Sequence, residues 1–194
     1  MPVPLACSGY SRIVWLSMRT VYDVSDVRRT VETMIDRIAA AFPASSPLNI
    51  IGIRTRGEIL AERLAQGLAS RGFGHVGRGV LDITLYRDDL SEIGPNPVVR
   101  PTEIDIDIDA VPLLLVDDVL FTGRSIRAAL DALSDFGRAG AIRLAVLVDR
   151  GGRELPIQAD FVGLTLGDIP RDYRVNVRLS ETDGRDEILV EPRT

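Results

Sequence analysis

Two adjacent carboxylates, Asp117 and Asp118, follow directly on an apolar run at residues 113–116. The run predicts a strand buried on both faces, with the acids at its carboxyl end. A small polar loop at residues 122–125 comes next and opens a helix, and such a corner binds phosphate through backbone N–H groups. Because acids repel phosphate, ribose hydroxyls that donate to them, with Mg²⁺ nearby, would explain their presence. The pattern indicates a sugar phosphate ligand; the alternative is that the acids only cap the loop and helix.

The same order of strand, short loop and helix occurs earlier in the chain. Residues 48–53 predict a buried strand, and residues 57–69 predict a helix with leucine at every fourth position. Between them lie Thr55 and Arg56, again at the carboxyl end of a strand, where open α/β sheets bind ligands. Arg56 beside a glycine suits a pyrophosphate group, and the alternative is an ordinary surface arginine at a helix start.

The remaining periodicity outlines the elements that must position these two loops. Residues 25–42 predict an amphipathic helix, with Asp23 or Ser25 as its N-cap. The helix after Ser125 should extend to a C′ glycine, Gly137. Further strands are predicted at residues 80–86, 142–148, 161–163 and 175–177, and an edge strand with its acids facing water at residues 104–109.

Two segments rich in glycine are expected to be loops. Residues 72–77 match G-x-G-x-x-G by letter, but they follow a helix and precede a strand, the reverse of the dinucleotide-binding order. A long polar connection has Gly and Pro at residues 94–97 and Arg100 at its far end. This connection predicts a mobile lid beside the site, and the alternative is an ordinary surface loop.

The bulk composition bounds the class of protein. The chain has 194 residues, a formal net charge of −5, one cysteine (Cys7) and one histidine (His75). A single cysteine rules out an internal disulfide and fits a reducing cytoplasm, and a single histidine argues against His-rich zinc sites. The negative charge argues against non-specific nucleic-acid binding, and no apolar run approaches the roughly 20 residues of a membrane span. We expect a cytoplasmic protein without membrane association.

These motifs together resemble a known family. Residues 115–125 match the signature of type I phosphoribosyltransferases, which bind phosphoribosyl pyrophosphate (PRPP). Residues 53–57, 81–90 and 144–157 resemble the pyrimidine operon attenuation regulators, many of which are also uracil phosphoribosyltransferases. The resemblance implies an α/β fold of the type I phosphoribosyltransferase kind, with a central, mostly parallel sheet flanked by helices and a small hood subdomain. It also divides the chain into an N-terminal extension, residues 1–20, and a phosphoribosyltransferase domain with a C-terminal hood segment, residues 21–194.

Carried over by position, the resemblance gives each candidate site residue a role. The catalytic candidates are Arg56, Arg87, Asp117 and Asp118. Thr55 joins Arg56 in the pyrophosphate loop, and Arg100 joins Arg87 in the flexible loop. The two acids would hold the ribose hydroxyls, and Mg²⁺ would be bound through the pyrophosphate and ribose, with Asp117 as the candidate protein ligand. The other nucleotide-binding candidates are Val119, Leu120, Phe121, Thr122, Gly123, Arg124, Ser125, Arg150 and Val175.

The resemblance also implies partners. They are PRPP, uracil, uridine nucleotides and a second copy of the chain, in a dimer or tetramer. The family further binds pyr-operon mRNA through a basic face, for which this chain offers Arg28, Arg29, Arg37 and Arg153. Here Glu32 and Asp36 stand where family members carry Thr and His, and Gly152 replaces another His, so acids would repel RNA phosphates. We expect a uracil phosphoribosyltransferase, with two alternatives: mainly an RNA-binding regulator, or a transferase for another base.

Overall fold

A computed structural model describes residues 19–88, 99–167 and 169–193 of the chain. The strands are β1 (Arg19–Tyr22), β2 (Leu48–Ile53), β3 (Val76–Leu81), β4 (Pro112–Leu120), β5 (Ala141–Asp149), β6 (Phe161–Thr165), β7 (Tyr173–Arg178) and β8 (Glu187–Pro192). The helices are α1 (Val24–Ala41), α2 (Arg56–Ala69), α3 (Arg124–Leu133) and α4 (Ser180–Asp183), with a 3₁₀ helix at Thr84–Tyr86. No helix in the described residues is both long and apolar enough to cross a membrane.

Five parallel strands form the central sheet, in the order β3-β2-β4-β5-β6. β4 lies in the middle, and its Val116 is in register with Gly52 of β2 on one side and Ala145 of β5 on the other. Because these strands run in the same direction, the carboxyl ends of β2 and β4 meet at one edge of the sheet. The predicted fold class, α/β with a central parallel sheet and a hood, is confirmed.

The sheet is covered on both faces, which explains the uninterrupted apolar run of β4. Successive side chains of a strand point to opposite faces. Leu114 and Val116 pack with α1, α2 and the hood strands, whereas Leu113 and Leu115 pack with α3. All four side chains are fully buried. The predicted burial of this strand on both faces is therefore confirmed.

The hood is a separate antiparallel sheet of three strands, in the order β1-β8-β7. The short helix α4 connects β7 to β8, and β8 was not among the predicted strands. β1 begins at Arg19, so this strand crosses the boundary drawn at residues 20 and 21 from the sequence. The hood packs on the face of the central sheet that α1 and α2 also cover, through residues such as Val177 and Ile188.

The helix predicted at residues 25–42 is present as α1. Of the two N-cap candidates it is Asp23 that caps it, because the Asp23 carboxylate accepts hydrogen bonds from the Ser25 and Asp26 backbone N–H groups at 2.9 and 3.1 Å. The Asp26 carboxylate in turn accepts a hydrogen bond from the Asp23 N–H, which completes a capping box. The helix predicted at residues 57–69 is also present, as α2, and begins one residue earlier.

The strand predicted at residues 80–86 is wrong in position. β3 starts at Val76, where it pairs with the first residue of β2, and ends at Leu81. The Asp82 carboxylate then accepts a hydrogen bond from the Thr84 N–H at 2.7 Å, which turns the chain into the 3₁₀ helix. Gly77 therefore lies in a strand and not in a loop. A Cβ there would lie 2.2 Å from Asn49 Oδ1, so any other residue would require the Asn49 side chain to move.

Two further expectations differ from the structure. Residues 104–109 form no strand, only an isolated bridge at Asp109. The isoleucines of this segment pack on the α3 face of the central sheet, and the acids between them are exposed, as predicted. α3 ends at Leu133 with Ser134 as C-cap, so Gly137 is not its C′ residue. The predicted lid tip at residues 94–97 lies outside the described residues.

Candidate active site

The two sequence motifs meet where β2 and β4 end. Thr55 and Arg56 follow β2 directly, and α2 starts so close to β4 that a Cβ on Gly57 would lie 2.5 Å from the Val116 carbonyl oxygen. Glycine is therefore required for this approach. It brings the backbone of the first loop against β4 next to Asp117, the residue that follows Val116.

The acids Asp117 and Asp118 lie within β4, which continues to Leu120 instead of ending before them as expected. Asp117 Oδ1 accepts a hydrogen bond from the Asp118 N–H, and Asp118 Oδ1 accepts one from the Val119 N–H, both at 2.9 Å. Neither carboxylate forms an ion pair with another described residue. They thus keep acceptor capacity for a ligand, as the ribose hypothesis requires.

Burial sets the protonation behaviour of this pair. Asp117 is 7% exposed, and burial together with the charge of Asp118 raises the pKa of Asp117 well above its ordinary value. Burial also raises the pKa of Asp118, while the positive charge of Arg56 opposes that rise. Hydroxyl donors or a cation bound at this point would stabilise the ionised carboxylates, because such groups supply the hydrogen bonds or the positive charge that a buried carboxylate needs.

The loop after β4 has the shape of an anion site. Gly123 has φ of +95°, a left-handed conformation that suits glycine, and it is the N-cap of α3. The Arg124 side chain does not point into the site; it pairs with Asp88 and with Glu154. The N–H groups of this loop and the start of a 10-residue helix are thus the elements that could bind an anion here.

A cavity of about 380 Å³ opens over the acid pair. Its lining residues come from four segments of the chain: Ile53, Arg54, Thr55, Asp82, Ile83, Thr84, Arg87, Arg100, Asp117, Asp118, Val119 and Ser125. Three of these are arginines, and they line the same cavity as the buried Asp117 and the half-buried Asp118. Cations and carboxylates in one cavity suit a ligand that carries both phosphate groups and hydroxyl groups.

Asp82 closes the base of the long connection that contains Arg87 and Arg100. Its carboxylate accepts hydrogen bonds from the Thr84 N–H at 2.7 Å and from the Arg100 N–H at 2.8 Å. Its backbone N–H donates to Thr102 Oγ1 at 3.1 Å. These bonds fix both ends of the connection, at Thr84 and Arg100, beside the cavity.

Three comparisons with known proteins bear on this site. Residues 21–177 match the model of the phosphoribosyl transferase domain. The bifunctional protein PyrR of Roseiflexus sp. (strain RS-1) is 51% identical over 166 residues, which cover 86% of this chain and 90% of that protein. The bifunctional protein PyrR of Deinococcus radiodurans is 50% identical over 167 residues, covering 86% and 91%. The chain belongs to the phosphoribosyltransferase family, as a relative of the PyrR proteins.

Solved phosphoribosyltransferases share its fold. The hypoxanthine phosphoribosyltransferase of Trypanosoma cruzi aligns with a TM-score of 0.64 at 20% identity, covering 90% of this chain and 97% of that one. A hypoxanthine-guanine phosphoribosyltransferase of Bacillus anthracis aligns with a TM-score of 0.65 at 15% identity, covering 90% and 98%. At this identity the likeness concerns the phosphoribosyltransferase fold and not the base that is bound.

Other predicted ligand contacts of this phosphoribosyltransferase lie under the hood. The guanidinium of Arg150 stacks on the ring of Phe121 at 3.9 Å and donates to the Tyr173 carbonyl at 2.8 Å. Burial lowers the pKa of Arg150, and the nearby charge of Arg193 adds to this effect. Val175 is 9% exposed and Leu120 is 1% exposed. The side chain of Leu120 therefore belongs to the core, and only its backbone can reach a ligand.

The predicted RNA contacts are spread over separate places. Arg153 donates to Asp149 at 2.5 Å and to the Phe121 carbonyl at 2.8 Å, so its guanidinium is held inside the fold. Arg37 donates to the Val162 carbonyl at 2.9 Å. Arg28 and Arg29 are exposed on α1, and Arg29 pairs with Asp26. The structure thus brings only Arg28 and Arg29 together.

Three residues of the site were not found from the sequence: Arg54, Asp82 and Asp183. Arg54 lines the cavity with its Nε atom buried and without a hydrogen-bond partner in the described structure. Asp183, on α4, binds Arg56 at 3.0 Å. Asp183 is 127 residues from Arg56 in the chain, so no local pattern signals this contact. Asp82 directly follows β3. Had the end of this strand been predicted correctly, Asp82 would have been recognised as a polar residue at the carboxyl end of a strand.

Proposed function

We propose that the protein is a cytoplasmic uracil phosphoribosyltransferase that converts uracil and PRPP into UMP and pyrophosphate. The observation that carries this proposal is the pair of the buried Asp117 and the half-buried Asp118, which lacks ion-pair partners in the described chain and is followed by the glycine-containing loop that starts α3. A cavity with three arginines covers the pair. The kinship with PyrR proteins supports uracil as the base and uridine nucleotides as further ligands. Self-association as a dimer or tetramer is part of the same proposal.

The reaction breaks the bond between ribose C1 and the pyrophosphate oxygen and forms a bond from C1 to uracil N1, which gives up its proton. Asp117 and Asp118 accept hydrogen bonds from the ribose hydroxyls and keep C1 in place. The N–H groups at residues 122–125 bind the 5′-phosphate. Positive charge builds up on the ribose in the transition state and negative charge on the leaving group, so positioning and charge neutralisation dominate over acid–base catalysis.

The arginines of the cavity are the neutralising groups. Arg54, which also pairs with Glu103, lines the cavity beside the first loop; Arg87 and Arg100 line it from the long connection, where Asp82 accepts from the Arg100 backbone N–H. Their charges stabilise the departing pyrophosphate without a change of protonation, because arginine stays charged at all relevant pH values. Closure of the long connection would exclude water, which otherwise hydrolyses PRPP.

The acid pair also fits Mg²⁺. No group of three or more metal-binding side chains exists in the described residues, so a metal would need ligand oxygens as well as protein oxygens. This agrees with an ion held mainly by the pyrophosphate and ribose, with Asp117 as its protein contact, because Mg²⁺ is commonly bound by one or two carboxylates plus substrate phosphates. When bound, the ion would add positive charge to the leaving group.

Incubation of the protein with Mg²⁺, PRPP and labelled uracil tests the proposal. We expect labelled UMP, and no decrease in its formation when unlabelled orotate, hypoxanthine or guanine is added. A folded protein that forms no UMP contradicts the proposal. Faster consumption of orotate or a purine supports the alternative, a phosphoribosyltransferase for another base.

The PyrR kinship favours regulation by RNA binding as a second function. The structure bears on one objection to it, because Glu32 and Asp36 both pair with Arg71, at 3.0 and 2.6 Å. Arg71 neutralises the negative charge of Glu32 and Asp36 only in part, because exposed ion pairs are weak. Arg28 and Arg29 are exposed on α1. Recognition of pyr-operon mRNA by this α1 surface is thus the second candidate.

Arg71→Ala should weaken binding to pyr leader RNA more than Arg28→Ala does. Both remove one cation, but only the first leaves Glu32 and Asp36 unpaired beside the RNA phosphates. Gel shifts over a salt series measure this, and each lost phosphate contact lowers the salt slope by about one.

The control is Arg185→Ala, which removes an exposed arginine from the hood. Binding of the wild-type protein that is no tighter to leader RNA than to scrambled RNA contradicts the second function. Equal effects of Arg71→Ala and Arg28→Ala contradict the role given to Arg71.

A further inference from the structure

Arg56, the arginine of the pyrophosphate loop, pairs with a carboxylate of the hood, although its charge also acts on Asp118 at the cavity over the acid pair. Its side chain does not line that cavity, although its neighbours Arg54 and Thr55 do. Instead it donates two hydrogen bonds to the hood residue Asp183, from Nη2 at 3.0 Å and from Nε at 3.3 Å. The guanidinium thus presents one edge to the hood carboxylate in a two-bond arrangement, which is the geometry that pyrophosphate oxygens would also require.

Asp183 is held firmly in the position where it binds Arg56. Its Oδ2 accepts hydrogen bonds from the Leu179 N–H at 2.9 Å and from Thr182 Oγ1 at 3.0 Å. Burial raises the pKa of Asp183, but the bonds from Leu179, Arg56 and Thr182 outweigh burial and bring the pKa below its ordinary value. The carboxylate is therefore ionised at neutral pH and attracts Arg56 fully.

A second arginine of α2 fixes the same part of the hood. Arg63 lies seven residues after Arg56 and so faces the same side of α2. Its guanidinium donates to Asp186 at 2.8 Å and to Glu181 at 2.6 Å. With Arg63 holding α4 in place, the contact between Arg56 and Asp183 can open without detaching the hood. The side chains of Arg56 and Asp183 are 32% and 21% exposed, so solvent and ligands reach this contact.

We propose that Asp183 is a specificity-determining residue that competes with pyrophosphate for Arg56. A ligand that carries pyrophosphate takes Arg56 from the hood, whereas a nucleoside monophosphate leaves the contact between Arg56 and Asp183 intact. The inference rests on the proposed function, because it needs PRPP to bind beside Thr55 and Arg56. It goes further by assigning a role to a hood carboxylate and by separating two classes of ligand for one site.

The competition has a defined consequence for affinity. In the protein without ligand, the contact between Arg56 and Asp183 must break before Arg56 binds pyrophosphate. The free energy of this ion pair therefore reduces the binding free energy of PRPP. Partly exposed ion pairs are weak, and removal of this one should tighten PRPP binding by about two- to fivefold. UMP has no pyrophosphate, so its affinity should not change.

Asp183→Asn is the variant of choice, because asparagine keeps one oxygen for the Leu179 N–H and loses the charge and the second acceptor oxygen that bind Arg56. Titration calorimetry of PRPP with Mg²⁺, and separately of UMP, measures both affinities in the wild-type protein and in the variant. Glu181→Gln is the matched control, since Glu181 is also on α4 and also pairs with an arginine of α2, but with Arg63. We expect tighter PRPP binding in Asp183→Asn alone.

Hydrogen exchange of the wild-type protein gives an independent reading of the hood. Pyrophosphate with Mg²⁺ should accelerate exchange of the amides at residues 179–184, because the bond from Arg56 no longer holds Asp183, and UMP should not. Weaker or equal PRPP binding by Asp183→Asn, or exchange that pyrophosphate leaves unchanged, overturns the inference while the proposed function stands. Failure of the wild-type protein to bind PRPP at all contradicts the proposed function and the inference with it.

Discussion

Asp118→Asn and Asp117→Asn proteins are expected to lose transferase activity by about 100-fold or more while becoming more stable. Asparagine has one acceptor oxygen and no charge, so the positive charge that develops on the ribose loses its stabilising partner. In the protein without ligand, in contrast, the buried Asp117 and the half-buried Asp118 are neighbours without ion pairs in the described structure, and each raises the cost of charging the pair. Removing one charge there should raise the free energy of unfolding by about 1 to 2 kcal/mol at pH 7.

The gain in stability should depend on pH in one direction. Burial and the Asp118 charge raise the pKa of Asp117 in the folded protein, so the folded state binds the proton of Asp117 more tightly than the unfolded state does. Wild-type stability therefore falls as pH rises above the unfolded pKa of about 3.9, until the folded pKa is passed. The advantage of Asp117→Asn should be small near pH 4 and larger near pH 7.

Urea unfolding at several pH values between 4 and 8, together with initial rates of UMP formation, measures both effects. Asp105→Asn is the control, because Asp105 is exposed and does not line the cavity over the acid pair. Stability of Asp117→Asn that is equal to wild type at every pH would contradict the origin given for the raised pKa. Full activity of Asp118→Asn would contradict the role of the pair in holding ribose.

Gly57→Ala should both destabilise the protein and impair catalysis. Alanine favours a helix by about 1 kcal/mol over glycine. The added Cβ, however, would lie 2.5 Å from the Val116 carbonyl oxygen, and a backbone atom in the middle of the sheet cannot rotate away. We expect a net loss of about 2 kcal/mol in the free energy of unfolding, as for other overpacked cores. The displaced loop should cost about 10- to 100-fold in activity, since Thr55 and Arg56 move relative to Asp117.

Gly74→Ala is the matched control for this prediction. Gly74 is exposed, and a Cβ there meets nothing within 4 Å, so its stability should stay within about 0.5 kcal/mol of wild type. Chemical unfolding and the uracil assay on both variants decide the matter. Equal stability of Gly57→Ala and Gly74→Ala would show that the start of α2 moves away from β4 without cost.

Strong local patterns explain what could be predicted. The apolar run of β4 and the leucine stripe of α2 are buried as expected. The spacing of hydrophobic residues decides which face of a strand or helix is buried, and that spacing can be read from the local sequence alone. The same reasoning failed at β3, whose boundaries are set by pairing with β2 and by the turn at Asp82. It failed again at residues 104–109, where alternating isoleucines cover the sheet without joining it.

The sequence by itself indicated the parts of the site: a strand with paired acids near its carboxyl end, a small polar loop that starts a helix, and a second loop with arginine. These features are local, because neighbours in the chain build each of them. Only the tertiary structure decided which charges meet. It buried Asp117 and half-buried Asp118 without ion pairs in the described residues, paired Arg71 with Glu32 and Asp36, and paired Arg56 with Asp183. The two arginine contacts join residues far apart in the chain, and the strength of all these charges depends on burial, which the spacing of residues in the sequence does not reveal.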